Sequence, residues 1–245
     1  MNPFDLTGKR VLVTGATSGL GRQSAISASQ MGARVIITGR DKERLAETFS
    51  HLHGVDHQAF PADLTIEAER GTLVDQLPPL DGIAHCAGFA PLLPFGFNDQ
   101  KRYHETYGIN VEAPLFFTQR LFKNRRLNRG ASLVFIASVG AFRGAKGHSL
   151  YAGSKAALVG MVRVLAHELA GMKVRANCIS PGTVRTEIVD ALASHISHEA
   201  VAADEALYPL GYGTAEDVAN AVVYFLSPAS RWVTGTNFIM DGGLT

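Results

Sequence analysis

Thr14-Gly15-Ala16-Thr17-Ser18-Gly19-Leu20-Gly21 is the stretch whose reading decides the fold. Ahead of it, Arg10-Val11-Leu12-Val13 is a short β-branched apolar run, the pattern of a buried strand. Behind it, Gly21 to Met31 is rich in Ala, Ser and Gln with Ile26 inside, the pattern of a helix. A strand, a glycine turn and a helix in that order aim backbone N–H groups and a helix N-terminus at a phosphate. The glycines stand at 15, 19 and 21, a G-x-x-x-G-x-G spacing rather than G-x-G-x-x-G. Such glycines serve a tight turn, close approach of a pyrophosphate, and close packing of helix on strand. A plain strand–helix connection with turn glycines fits this stretch alone equally well, so the residues further along the chain must decide between the two.

The 245 residues are 46% hydrophobic and 18% charged, enough for a single α/β domain over 1–245. No linker, low-complexity tract or fixed-period repeat divides them. A formal charge of +1 gives no case for a nucleic-acid or membrane partner. Met1-Asn2-Pro3-Phe4-Asp5 lacks the basic start and apolar core of a signal peptide, and no apolar run is long enough to span a bilayer. Cys86 and Cys178 both fall in expected strands, as buried free thiols that suit a reducing compartment. The expected location is the cytoplasm, and no metal site is expected.

Strand-like runs recur at Arg10–Thr14, Arg34–Thr38, His57–Pro61, Gly82–Cys86, Ser132–Ala137, Val174–Ser180 and Asn237–Met240. Helical stretches lie between them at Leu20–Met31, Asp41–Leu52, Ile66–Leu77, Asp99–Lys123, Tyr151–Leu169 and Ala215–Leu226. This alternation predicts a doubly wound, Rossmann-type parallel sheet of seven strands with helices on both faces. Ligands of such sheets sit beyond the C-terminal strand ends, so the informative residues should lie just after strands.

The second strand ends at Gly39-Arg40, where an NAD-binding fold places a carboxylate for the ribose hydroxyls. A guanidinium suits a 2′-phosphate instead. NADP(H) is therefore expected over NAD(H), by an upper estimate of about ten- to a hundredfold. Asp41 is one residue late and is expected to cap the next helix. Asp63-Leu64 comes after the third strand, placed for the adenine, and His85-Cys86-Ala87-Gly88 ends the fourth with small residues that let a cofactor lie close. In the helix Asp99–Lys123, Pro114 removes the N–H that the carbonyl of Asn110 would accept. The fifth strand leads to Ser138, and the next helix opens Tyr151-Ala152-Gly153-Ser154-Lys155, with Tyr and Lys on one face. A tyrosine hydroxyl titrates near 10, too high for acid–base work at neutrality; a lysine ammonium one turn away lowers that value. With Ser138 holding the same oxygen, these side chains can deliver a proton to a carbonyl while hydride reaches its carbon.

These motifs together resemble the short-chain dehydrogenase/reductase family, in its compact single-domain branch, from Leu6-Thr7-Gly8-Lys9 to Asp241-Gly242-Gly243. The resemblance implies that Thr14–Gly21, with Gly15, Thr17, Ser18, Gly19, Leu20 and Gly21, is the cofactor turn. It implies an adenine contact at Asp63 with Leu64, and a cofactor lying along Ala87 and Gly88. Asn110, Ser138, Tyr151 and Lys155 match the family's catalytic tetrad, with Asn110, Tyr151 and Lys155 also contacting cofactor, and the Asn110 backbone carbonyl matches the one that holds a relay water. Pro181, Gly182, Val184 and Thr186 match the segment at the nicotinamide end. His85-Cys86 departs from the family's Asn-Asn at this place, with His85 expected as a structural substitute.

The substrate is expected to be a small carbonyl or alcohol, its loop to span about 187–212 with His195, His198, Glu199 and Tyr208, and Phe89, Leu92, Leu93, Phe95 and Phe97 to form an apolar wall. Arg143, Lys146 and His148 lie beside the expected site, as solvated charges or an anion contact. Lys123, Arg125, Arg126 and Arg129 suit a helix C-terminus or, by the resemblance, a dock for an acyl carrier protein. A 3-oxoacyl-acyl-carrier-protein reductase is the alternative activity, and a non-catalytic cofactor sensor the rival of another class. The resemblance also implies a homotetramer.

Overall fold

The computed structural model describes residues 2–186 and 198–245. In chain order the first half runs β1 (Arg10–Thr14), α1 (Gly19–Gln30), β2 (Arg34–Gly39), α2 (Lys42–Ser50), β3 (Gln58–Pro61), α3 (Glu67–Gln76), β4 (Leu80–His85), α4 (Gln100–Tyr107), α5 (Ala113–Lys123) and β5 (Leu127–Ile136). The second half runs α6 (Ser149–Glu168), β6 (Arg175–Pro181), β7 (Val184–Arg185), α7 (His198–Glu205), β8 (Gly213–Thr214), α8 (Ala215–Leu226) and β9 (Asn237–Met240). Seven strands form one parallel sheet in the order β3-β2-β1-β4-β5-β6-β9, as the alternation predicts. Two-residue β7 and β8 pair separately.

Alternation along β5 shows how the sheet is covered. Leu133 and Phe135 face the layer of α3, α5 and α6, among Leu73, Phe117, Leu121, Leu158 and Val162. Val134 and Ile136 face the opposite layer of α1 and α8, among Ala25, Ala28, Val218, Val222 and Phe225. Period-two side chains with both faces buried give the continuous apolar strand expected of a parallel sheet. The small residues of α1 let it lie close to α8, which starts with a capping box between Thr214 and Asp217.

The structure corrects the sequence expectation in three places. The single helix over Asp99–Lys123 is two helices joined by a π turn at Gly108–Glu112, with the Ala113 N–H returning to the Gly108 carbonyl and Pro114 in the first turn of α5. Proline cannot donate, so the ladder shifts by one residue around Asn110. β5 starts at Leu127, five residues earlier than its apolar run, because Leu127 pairs with Leu80 across an irregular register. Cys86 lies just beyond β4 and is partly exposed, whereas Cys178 is buried in β6; both are free thiols.

Among the described residues no helix is long and apolar enough to cross a membrane. No group of three or more His, Cys, Asp or Glu among them could hold a metal ion.

Candidate active site

The glycine turn after β1 is shaped by contact as well as by conformation. Gly15 takes φ +65°, and a Cβ there would stand 2.6 Å from the Ala87 Cα. A Cβ on Gly21 would run into the Gly15 carbonyl. Neither position has room for a larger residue. The Ala16 N–H donates to the Thr38 carbonyl at 3.1 Å, and the Thr48 hydroxyl donates to the Ala16 carbonyl at 2.8 Å. Arg22 braces the turn from behind: its guanidinium donates to the Thr17 carbonyl at 2.9 Å, to Thr48 Oγ1 at 3.1 Å and to both Glu47 oxygens. This brace is invisible in the sequence, since Arg22 sits one turn into a helix and its side-chain partners Glu47 and Thr48 lie 25 and 26 residues away. Ser18 caps α1 with no side-chain hydrogen bond, so no side-chain acceptor of its own covers the first amides of the helix. A tight glycine turn running into uncapped amides at a twelve-residue helix suits a diphosphate, so Gly15, Thr17, Ser18, Gly19, Leu20 and Gly21 can hold a dinucleotide there.

At the outer end, Arg40 follows β2 with its side chain 73% exposed and its Nη1 3.6 Å from Asp63. Its partner is Asp63, whereas Asp41 caps α2 by accepting from the Arg44 N–H at 3.0 Å. Partial burial opposes ionisation of Asp63, but hydrogen bonds from Thr65 and the Arg40 charge outweigh it and hold its carboxyl below the usual range. Leu64 is buried beside it. Ala87 joins the ends of β1 and β4 by donating to Thr14 Oγ1 at 3.3 Å.

At the inner end the four tetrad positions converge. Lys155 is buried and donates to the Ile136 carbonyl at 2.7 Å. Its Nζ lies 5.8 Å from the centre of the Tyr151 ring and 3.3 Å from where a Gly88 Cβ would stand. Burial lowers the lysine from 10.5 to about 8. Ser138, at the end of β5, accepts from the Gly140 N–H at 3.1 Å and hydrogen-bonds Tyr151. Tyr151 titrates above 10, because burial favours the neutral phenol more than the bond from Ser138 favours the phenolate. This runs against the expectation of a lowered value, because desolvation of the buried ring dominates. Asn110 is 1% exposed in the π turn.

The segment after β6 closes the cleft. The Gly182 N–H donates to the Met240 carbonyl at 3.0 Å. A Cβ on Gly19 would stand 3.6 Å from the Thr186 methyl, which brings this segment over the glycine turn. Tyr208 is buried and pairs with Thr183 Oγ1 at 2.8 Å, so it braces the Pro181–Thr186 segment. Arg185 reaches Glu205 at 2.7 Å, and Tyr212 donates to Asp204 at 2.6 Å. His195 and the rest of 187–197 lie outside the described residues, as does the side chain of His198. Leu93 donates to the Gly147 carbonyl at 2.9 Å, which lays the 89–98 segment beside the start of α6. Phe89, Leu92, Phe95 and Phe97 are exposed there.

His85 takes the structural part that its sequence context suggests. It is 4% exposed, stacks on Phe135 at 4.6 Å and shares a hydrogen bond with Thr118 at 3.0 Å. Burial lowers it to about 3. In the basic run, Arg126 and Arg129 donate to the carbonyls of Asp75 and Gly171.

Comparison with known proteins agrees with this geometry. A family model described as "Enoyl-(Acyl carrier protein) reductase" matches residues 15–245. The chain is 30% identical over 243 residues to a 3-oxoacyl-[acyl-carrier-protein] reductase of Rickettsia felis, covering 98% of each. It is 29% identical over 249 residues to an L-xylulose reductase of Caenorhabditis elegans, covering 99% of this chain and 98% of that one. A solved short-chain dehydrogenase/reductase family protein superposes with a TM-score of 0.88 at 32% identity, over 98% of both chains. A structure from Agrobacterium tumefaciens with bound NADP superposes with a TM-score of 0.87 at 28% identity, over 100% of this chain and 99% of that one. The glycine turn, the Ser138–Tyr151–Lys155 cluster and these whole-chain matches converge, and the chain belongs to the short-chain dehydrogenase/reductase family of oxidoreductases.

Proposed function

We propose that the protein is an NADP(H)-dependent oxidoreductase that interconverts a carbonyl and a secondary alcohol, with Tyr151 as the general acid/base. The observation that carries this reading is the convergence of Ser138, Tyr151 and a buried Lys155 beside Gly88, at the inner end of the glycine cradle. The nicotinamide, when bound, supplies or accepts the hydride. Tyr151 is a neutral phenol at neutral pH, hence a proton donor toward a carbonyl oxygen in the reductive direction. Ser138 Oγ hydrogen-bonds the same oxygen and holds it at the phenol. Lys155, fixed by the Ile136 carbonyl, places positive charge near the phenolate left behind. Arg40 is the group that favours a 2′-phosphate, with NAD(H) as the weaker cofactor.

The test is a panel of ketones, sugar-derived carbonyls and alcohols with both cofactors, monitored by absorbance of the reduced nicotinamide. Turnover of at least one ketone with NADPH supports the reading; binding of either cofactor with no turnover across the panel would move the protein to the sensor class. Reduction of a 3-oxoacyl thioester attached to acyl carrier protein is the second reading. It is favoured by the whole-chain similarity to the Rickettsia felis protein of that name and by the basic side chains from Lys123 to Arg129. A preference for acetoacetyl thioesters over free ketones separates the two. We further propose a homotetramer in the cytoplasm; exposed Trp232, Phe238 and Ile239 lie on and beside the edge strand β9 and supply apolar surface for a second copy. A fourfold molecular mass by light scattering at micromolar concentration is the expected outcome, and a monomer contradicts it.

A further inference from the structure

Asn110 enters the family comparison through its backbone carbonyl, but its side chain makes a separate set of bonds. Asn110 Oδ1 accepts from the Phe89 N–H at 2.8 Å. Its Nδ2 donates to the Phe89 carbonyl at 2.8 Å and to Ser154 Oγ at 2.9 Å. Ser154 in turn donates to the Tyr151 carbonyl at 2.7 Å. Both side chains are inaccessible, Asn110 at 1% and Ser154 at 0%. Phe89 is different: it lies outside any helix or strand and is 40% exposed. Its amide and carbonyl would face water were the carboxamide not holding them.

We propose that Ser154 is a positioning residue for the reaction, acting through the Asn110 carboxamide to fix the Gly88–Phe89 backbone against the helix that carries Tyr151 and Lys155. This assignment rests on the oxidoreductase reading above. Two bonds to Phe89 alone leave the carboxamide free to turn about its own long axis with its partner; the third, to Ser154, ties that plane to α6. The consequence reaches the lysine, because a Cβ on Gly88 would stand 3.3 Å from both Asn110 Oδ1 and Lys155 Nζ. Phe89 is also the root of the 89–98 segment that lies beside the start of α6. Losing the strut lets one wall of the cleft drift relative to the proton donor, and displacements of about an ångström are costly to catalysis.

The experiment combines Ser154→Ala with Asn110→Ala, which keeps the backbone carbonyl of residue 110. Alanine favours a helix interior more than serine does, so Ser154→Ala should fold. In the protein alone, exchange of the Phe89 amide with solvent should speed up about tenfold in Ser154→Ala, while amides in β1 and β6 keep their protection. In turnover assays kcat should fall about tenfold with the NADPH Kd within about threefold of wild type. The double variant should lose no more kcat than Asn110→Ala alone, because the two side chains act as one unit. Unchanged Phe89 exchange in Ser154→Ala overturns the strut, whatever the activity. Wild-type kcat with faster exchange overturns the positioning role, as do losses that multiply in the double variant. If the wild type reduces nothing in the panel, the oxidoreductase reading fails, and the exchange data still judge the strut. Should Ser154→Ala fail to fold, Ser154→Cys, whose thiol is a weak hydrogen-bond partner, replaces it with the same outcomes.

Discussion

The two ends of the cleft are held by opposite means. At the outer end, Arg40 stands 73% exposed and leans on Asp63 across 3.6 Å. At the inner end, Lys155, Asn110 and Ser154 are 5%, 1% and 0% exposed, and every polar contact described for them is 2.7 to 2.9 Å. Water competes for the bond at the first far more than for those at the second. Exposed ion pairs contribute little, whereas a buried polar group that loses its partner bears its full desolvation cost. Substitutions should therefore grade in effect from the inner end outward.

The largest effect is expected at Tyr151. Tyr151→Phe removes the hydroxyl proposed as the proton donor and keeps the buried ring, so the fold and the cradle should stay intact. General acid–base groups contribute about 10²- to 10⁴-fold. Turnover should fall by that range while NADPH affinity by fluorescence titration stays within about threefold. Near-wild-type turnover would remove Tyr151 from the mechanism and erase the contrast between the two ends.

The glycine turn lies between the ends and should give the next largest effect. In Gly21→Ala the new methyl meets the Gly15 carbonyl, a backbone atom that cannot rotate away. Overpacking of this kind costs about 1–3 kcal/mol, which corresponds to about 5- to 150-fold in affinity if the turn must open to relieve it. A weaker NADPH Kd with a lower melting temperature is the expected pair of results. Unchanged affinity would mean that the cradle shape is not set by close packing at this glycine.

Legibility in the sequence divides the molecule in a related way. The glycine turn, the alternation of strands and helices, and the Tyr151–Lys155 spacing are local patterns, and the structure keeps all of them. Pro114 signals trouble around Asn110 because a missing N–H is also local; its form, a π turn, depends on how α4 and α5 each pack. The illegible features depend on partners distant in sequence. Arg22 meets Glu47 and Thr48, Tyr208 meets Thr183, and Arg40 meets Asp63 instead of its neighbour Asp41. The direction of the Tyr151 shift escapes the sequence for the same reason: desolvation is set by the whole fold, whereas the lysine one turn away is visible in five letters. Residues 187–197, which hold most of the expected substrate loop's first half, lie outside the described residues.

His85 offers a pH test of the buried side. It is held neutral, with its ordinary 6.5 lowered to about 3 by burial. Between those values the unfolded chain takes up a proton that the folded chain refuses, so stability present above pH 6.5 is lost as pH falls toward 3. At about 1.4 kcal/mol per pH unit, the loss from this residue is about 2 kcal/mol at pH 5. His85→Asn should be less stable at pH 7.5, having lost the stacking on Phe135, but should lose less on going to pH 5. Urea midpoints of both proteins at the two pH values measure it. Equal losses would show that His85 protonates in the fold and that this end of β4 is wetter than its packing implies.

The smallest effect is expected at Arg40, where the sequence alone suggests the largest cofactor preference. A guanidinium free to grip a 2′-phosphate favours NADPH by about ten- to a hundredfold at the upper limit. Two features of the structure reduce that figure. The side chain is mostly in water, where charge-assisted bonds are screened, and it must share itself with Asp63. Arg40→Ala should therefore weaken NADPH binding by only about three- to tenfold and leave NADH nearly unchanged. The loss should shrink further as salt is raised from about 50 mM to about 500 mM, since the Debye length falls below about 5 Å. Placing a carboxylate at residue 39 is a poorer probe than it looks, because a Cβ on Gly39 would stand 2.5 Å from the Thr17 methyl and disturb the cradle itself. The decisive quantity is the ratio of the two dissociation constants, which cancels any general loosening of the turn. A ratio unmoved by Arg40→Ala would mean that Arg40 serves only to hold Asp63, and that any preference for the phosphate comes from another group.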